Sequence, residues 1–295
     1  MKHSHSLTGI LLSLLMGSLI LTAGNINSIK LDNISLFVAC GVVGFLLHWL
    51  IFIPSYLYRT DHYFDLTGSV SYISTVIVTI YLNPALDARD IVIASMVIIW
   101  ALRLGSFLFW RVKTQGKDSR FDVMKTQFTW FLLTWTLGGL WVLVTLAAGL
   151  AAMTSTVDKP LGALAYVGIG LWLFGFTVES VADHQKTQFR KLPENAGRFI
   201  NTGLWRWSRH PNYFGEIVLW LGLSLVALPV LNGWQLATMI SPIFVYLLLT
   251  KISGINLLER QGQQRWGDDP EYLLYQQSTS RLILRKPRIS PPIGS

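Results

Sequence analysis

Sulfur and charge are both scarce in this sequence, and each scarcity excludes a class of protein. Among 295 residues there is one cysteine, Cys40, set in an apolar run. A lone cysteine rules out a disulfide within the chain and any cysteine-based zinc cluster, and it reads as a small buried hydrophobe. Asp, Glu, Lys and Arg make up only 14% of the chain, against about 25% in a soluble domain. Metal-ligand spacings such as His-x3-His are missing, so no metal site is expected. No glycine-rich phosphate loop links a strand to a helix, so any nucleotide is held without a Rossmann unit.

What the chain has instead is apolar length. It is 52% hydrophobic, with 12 Trp and 15 Phe. Eight apolar runs reach spanning length, at about 7–24, 34–57, 64–84, 91–110, 127–153, 160–180, 213–231 and 234–252. The expected fold is an all-α polytopic membrane bundle of about eight transmembrane helices. The first run reads either as a secretory signal or as a retained helix. Ile20-Leu21-Thr22-Ala23-Gly24 is a poor cleavage site, which favours retention. The expected organisation is N-terminal helices over 1–60, a catalytic membrane domain over 61–285 and a frayed Pro-containing tail over 286–295.

The net charge of +8 follows topology and gives no reason to expect nucleic acid. With the N-terminus placed in the cytoplasm, 20 of the 24 Lys and Arg residues fall on the inside. The outside loops hold only Lys30, Arg89 and Lys159, and Arg103 lies within a helix. The positive-inside rule therefore puts both termini in the cytoplasm. It also puts three longer polar segments there, 111–126, 181–212 and 253–295.

These segments carry the candidate chemistry. Asp183, Lys186 and Arg190 share one helical face, and Arg198 follows the turn Leu192-Pro193-Glu194-Asn195. The group is either a solvated loop or a phosphate cradle of arginine forks, with Asp183 on a ribose or amide donor. Pro211 suits the first turn of a helix. Arg209 and His210 precede it, and Asn212, Tyr213 and Glu216 enter the span. An ionisable Glu inside a span needs a partner, whether that partner pins the helix or serves a ligand. Arg103 either snorkels or reaches a polar cavity. Asp65, Ser69 and Tyr72 line one face of the third span, after His62 and Tyr63. There Asp65 either caps the helix or faces the bundle as a proton donor. The isolated His48 reads as a satisfied packing group. Beyond the last span, Glu259 to Tyr272 reads as an amphipathic helix on the cytoplasmic face, able to close over 181–212.

Gly203-Leu204-Trp205-Arg206, Ser208-Arg209-His210-Pro211-Asn212-Tyr213-Phe214-Gly215-Glu216 and Arg265-Trp266-Gly267-Asp268-Asp269-Pro270-Glu271-Tyr272 together resemble the bacterial DUF1295 group. That group belongs to the steroid 5α-reductase-like membrane superfamily. The resemblance covers roughly residues 60–285 and is most specific in the last hundred.

The resemblance implies a cofactor pocket open to the cytoplasmic face of a bacterial inner membrane. Steroid reductases line theirs with an Asp, several Arg and an Asn-x-x-Gly-Glu element. By resemblance Asp183, Arg190, Arg198, Asn212 and Glu216 take these roles, with Arg209, His210, Tyr213, Arg265 and Tyr272 beside them and Arg103 and Arg111 upstream. The implied cofactor is NADPH and the implied reaction is reduction of an activated C=C bond in a lipophilic substrate. The isoprenylcysteine carboxyl methyltransferases of the same superfamily use a similar Arg-His-Pro-x-Tyr-x-Gly turn for S-adenosylmethionine, which stands as the alternative. A non-enzymatic lipid-binding protein is the third reading. The reductases' early Gln-Glu pair has no acid counterpart in Leu50-Ile51-Phe52-Ile53-Pro54-Ser55. Asp65, Tyr63 and Tyr72 are therefore the candidate catalytic acids.

Overall fold

The computed structural model describes residues 3–115 and 121–287, with side chains for 3–110 and 121–287. Most of the expected tail at 286–295 lies outside the described residues. Among the described residues, eight helical segments are long and apolar enough to cross a membrane. This is an integral membrane protein with a helical-bundle fold.

The helices are α1 (His3–Asn25), α2 (Leu36–Gly41), α3 (Val43–Leu57), α4 (Phe64–Leu82), α5 (Ala88–Gln115), α6 (Phe121–Met124), α7 (Phe128–Met153), α8 (Ala163–Lys191), α9 (Pro211–Ala227), α10 (Ile240–Leu247), α11 (Ile255–Trp266) and α12 (Pro270–Ser278). An antiparallel hairpin of β1 (Lys30–Leu31) and β2 (Ile34–Ser35) precedes α2.

Three segments differ from the hydropathy reading. Helix α5 runs on to Gln115, past the expected end at 110. Helix α8 continues to Lys191, eleven residues beyond the apolar run. Ala182, Gln185, Lys186 and Arg190 are good helix formers, and the helix stops only before Pro193. The last span is not one α-helix. A 3₁₀ segment at Gly233–Met239 leads into α10, then a π-helical turn at Leu248–Ile252. The amphipathic tail likewise splits into α11 and α12, and Asp269 caps α12 by accepting from the Glu271 N–H.

The chain packs as two compact units. The first contains residues 1–167 and 223–241. Its centre is α7, apolar on every side and almost wholly buried. Gly138 and Gly139 leave room for His48 and Phe45 against its backbone. His48 is buried, with its Nδ1 2.7 Å from the Gly44 carbonyl oxygen. Phe52, Phe121, Phe131 and Trp135 form an aromatic cluster nearby. Arg89 is fully buried, and its guanidinium donates to the carbonyls of Val226, Lys159 and Pro160. Three carbonyl acceptors offset much of the cost of taking that charge out of water.

The second unit contains residues 168–222 and 242–295. Within it α8 and α9 run antiparallel in backbone contact. A Cβ on Gly175 would lie 2.5 Å from the Gly215 oxygen, and one on Gly222 would lie 2.6 Å from the Gly168 oxygen. Seven residues separate the glycines on each helix, two turns, so both contacts fall on one seam. Small residues are what allow helix backbones to meet in a membrane protein.

Candidate functional site

The glycine seam decides which polar groups meet. On α8, Glu179, Asp183, Lys186 and Arg190 are spaced along a single stripe. On α9, Asn212 and Glu216 lie one turn apart in the first two turns. Asn212 Nδ2 donates to Asp183 Oδ1 at 3.2 Å. Glu179, Asp183 and Glu216 are 2%, 6% and 8% exposed. Three buried carboxyls within two helix ends are costly unless engaged. Glu179, Asp183, Lys186, Arg190, Tyr213 and Glu216 all take part in interactions.

The turn feeding α9 is folded back on α8. Gly203 sits at φ 58°, and a Cβ there would collide with the Gln185 amide. Gln185 Oε1 accepts from the Leu204 N–H at 2.9 Å. The Trp205 indole donates to the Ala182 carbonyl at 3.0 Å, and the Lys186 ammonium lies 4.4 Å above its ring.

Beyond the turn, cations gather around one carboxylate. Arg209 Nη1 lies 2.8 Å from Glu259 Oε1, His210 Nε2 lies 3.4 Å from the same atom, and Arg281 Nε lies 3.2 Å from Glu259 Oε2. His210 stacks on Tyr213 with the rings 12° from parallel. Burial pushes the His210 imidazole below its usual 6.5. Glu259 pulls it up, and Lys186 and Arg209 push it down further. Among the described residues, the buried Arg209 Nε has no hydrogen-bond partner.

A cavity of about 290 Å³ lies next to Arg198, walled by Asn195, Asn201, Trp266, Asp269 and Glu271 among others. The Trp266 indole donates to the Gly197 carbonyl at 2.5 Å. Phe199 packs edge-on against both Trp266 and Tyr272. Arg190, Arg198 and Arg265 are exposed, and Tyr272 is buried in the aromatic cluster.

The first unit holds a separate, apolar cavity of about 400 Å³ between α3 and α4, with Leu47, Ile51, Pro54, Tyr63, Leu66 and Val70 on its walls. Tyr63 is half exposed. Asp65 lies in the first turn of α4, partly buried and engaged. Tyr72 is buried, its hydroxyl bonded to that of Thr145 and its ring edge-on to Trp100. Arg103 is partly buried, with its guanidinium 5.6 Å from the Phe107 ring centroid. The Arg111 side chain lies outside the described residues.

The structure thus brings Asp183 and Asn212 into contact, and Arg209 and His210 onto one carboxylate. Arg198 lies on the separate cavity. Tyr63, Asp65 and Tyr72 belong to the first unit. Four participants were absent from the sequence-based set. Glu179 was marked by its i−4 spacing to Asp183, and Glu259 by its place in an otherwise amphipathic segment. Gln185 and Arg281 carried no signal, because their roles depend on contacts with residues far along the chain.

A family profile described as "Protein of unknown function (DUF1295)" matches residues 51–279. An uncharacterized protein of Schizosaccharomyces pombe is 28% identical over 157 residues, 45% of this chain and 43% of its own length. The 3-oxo-5-alpha-steroid 4-dehydrogenase 1 of Bos taurus is 34% identical over 70 residues, 24% of this chain and 27% of its own. The human protein of that name is 34% identical over 61 residues, 21% of this chain and 24% of its own. The chain spans less than half the length of each of these relatives. No solved structure matches.

Proposed function

We propose a function from the premise that the chain belongs to the DUF1295 family. It is a membrane-embedded, NADPH-dependent reductase of an activated C=C bond in a lipophilic, steroid-like or enoyl lipid substrate. The partial similarity to 3-oxo-5-alpha-steroid 4-dehydrogenases supports an oxidoreductase. The observation that carries the reading is the Asn212–Asp183 bond among buried carboxyls, next to an arginine-rich face.

The residues present fit the cofactor. Among the described residues the buried Arg209 Nε lacks an acceptor, which a phosphate oxygen would provide. The cavity next to Arg198 is near the lower edge of the range of about 300–1,000 Å³ for small-molecule sites, so it suits one end of a dinucleotide. Arg190, Arg198, Arg209 and Arg265 would hold phosphate, and Asp183 a ribose hydroxyl. Asn212, Tyr213 and Glu216 would hold the nicotinamide end, flanked by His210 and Tyr272. When bound, NADPH supplies a hydride.

The chain's own part is to position and to polarise. The apolar cavity of the first unit suits a lipophilic substrate with a single polar end. Among the candidate acids, Tyr63 is the one on its wall. A phenol donating to a carbonyl oxygen stabilises the enolate that forms on reduction. Tyr72 is committed to Thr145 and Trp100, so its role is support. Positive-inside bias supports a topology with both termini cytoplasmic.

A titration of the detergent-solubilised chain with NADPH tests the reading. Binding is expected for the wild type and lost in Asn212→Ala and Arg198→Ala. Unchanged binding in both variants contradicts it. Thermal stabilisation by S-adenosylhomocysteine and not by NADPH would assign the site to methyl transfer instead.

A further inference from the structure

The residues after α12 do not leave the unit. Thr279 to Arg285 lie along the turn Trp205–Arg209 and bond to it repeatedly. The Arg209 N–H donates to the Ser280 carbonyl at 2.8 Å, and the Ser208 hydroxyl donates to the Leu282 carbonyl at 2.7 Å. The Arg285 N–H donates to the Trp207 carbonyl at 3.2 Å. In the last turn of α12, Tyr275 donates its hydroxyl to the Trp205 carbonyl at 2.6 Å. Bonds to the main chain at both ends of this five-residue turn, from Ser280 at Arg209 and from the Tyr275 hydroxyl at Trp205, hold its path. Without them, those N–H and carbonyl groups would need other partners.

One carboxylate joins this segment to the turn. Glu259, on α11, bonds Arg209 and His210 of the turn with one oxygen and Arg281 of the C-terminal segment with the other. Arg281 also donates to Asn256 Oδ1 at 2.5 Å, which fixes the guanidinium against α11. Glu259 and Arg209 are largely shielded, at 22% and 16% side-chain exposure, so their attraction is less screened than that of a surface pair. Arg281 is more open, at 44%. It can therefore be changed with little disturbance to packing.

We propose that Thr279–Arg285 is a strap that holds the turn Gly203–His210 in place, locked by Glu259. On this account Glu259 and Arg281 are positioning residues for Asn212. The turn runs directly into Pro211 and Asn212, so its path sets where the Asn212 amide meets Asp183. Neither Glu259 nor Arg281 needs to touch a ligand. The consequence for ligand binding rests on the dinucleotide reading above, whereas the mechanical coupling of strap and turn does not.

Amide hydrogen exchange on the full-length chain in detergent tests the coupling, comparing the wild type with Arg281→Ala and Glu259→Gln. The informative amides are Leu204, Trp207 and Ser208, whose acceptors lie on α8 or within the turn and not on the strap. Their exchange is expected to quicken roughly tenfold or more in both variants, the scale of one lost charge-assisted hydrogen bond. NADPH affinity is expected to fall in both variants, and Arg281→Lys is expected to restore part of it. Arg281→Ala keeps the test open should Glu259→Gln fail to fold. If the Arg285 amide quickens while Leu204, Trp207 and Ser208 keep wild-type rates, the strap does not hold the turn and the proposal is overturned. If the wild type binds no NADPH, the cofactor reading fails while the exchange result still decides the coupling.

Discussion

Gly175 and Gly215 face each other so closely that a Cβ on either would lie 2.5 Å from the other's carbonyl oxygen. No flexible side chain stands between them, so the backbones themselves would have to move apart. Gly175→Ala or Gly215→Ala should therefore cost about 1–3 kcal/mol, as for overpacking. The expected readout is a lower unfolding midpoint in detergent. The same variants should weaken NADPH binding, because the seam sets the spacing of α8 and α9 where Asp183 meets Asn212. Gly170→Ala, where a Cβ meets nothing, is the control and should change neither.

The Asn212–Asp183 bond makes a more local prediction. Asp183→Asn keeps the size of the side chain but removes its charge. It should lower NADPH affinity at least tenfold with little change in stability, because a partly buried amide pair can still form there. Isothermal titration on the two proteins reads this directly.

His210 gives a pH dependence whose sign is fixed. Burial holds its folded-state value below the 6.5 of an unfolded histidine. Between those two values the unfolded chain binds more protons, so stability rises with pH and is lost as pH falls below about 6.5. Thermal midpoints measured from pH 7.5 down to pH 5 should fall in the wild type. His210→Gln lacks that titration, so the gap between the two proteins should narrow on acidification.

Arg89 tests the packing of the first unit. Arg89→Ala leaves the Val226, Lys159 and Pro160 carbonyls without their donor. Unpaired buried polar groups cost about 1–3 kcal/mol each, so the loss should total several kcal/mol. Arg89→Lys should recover little of it, since a single ammonium cannot reproduce the guanidinium fork. Expression yield and midpoint in detergent are the measures.

Much of this architecture is legible in the sequence. The spans are readable because each is a long apolar run, and the start of α9 at Pro211 follows from proline's missing N–H. The helical face of Asp183, Lys186 and Arg190 is legible from their spacing, but the continuity of α8 to Lys191 is not, because hydropathy drops after residue 180 although helix propensity does not. The i, i+4 spacing of Asn212 and Glu216 was visible, but their meeting with α8 was not. It depends on Gly168, Gly175, Gly215 and Gly222, whose sevenfold spacing is written in the sequence while their pairing is not. The Glu259 cluster was least legible, since it joins residues 49 apart and gains meaning only when α11 packs beside the turn. The two candidate tyrosines were equivalent in sequence. The structure separates them, with Tyr63 on a cavity wall and Tyr72 buried against Thr145.

The most direct test of the central claim is mass spectrometry of the small molecules that co-purify with the full-length chain in mild detergent. The account predicts NADP(H) in the wild-type preparation and its absence from Asn212→Ala purified in parallel. An S-adenosyl nucleoside in place of NADP(H), or equal NADP(H) in both preparations, would contradict it.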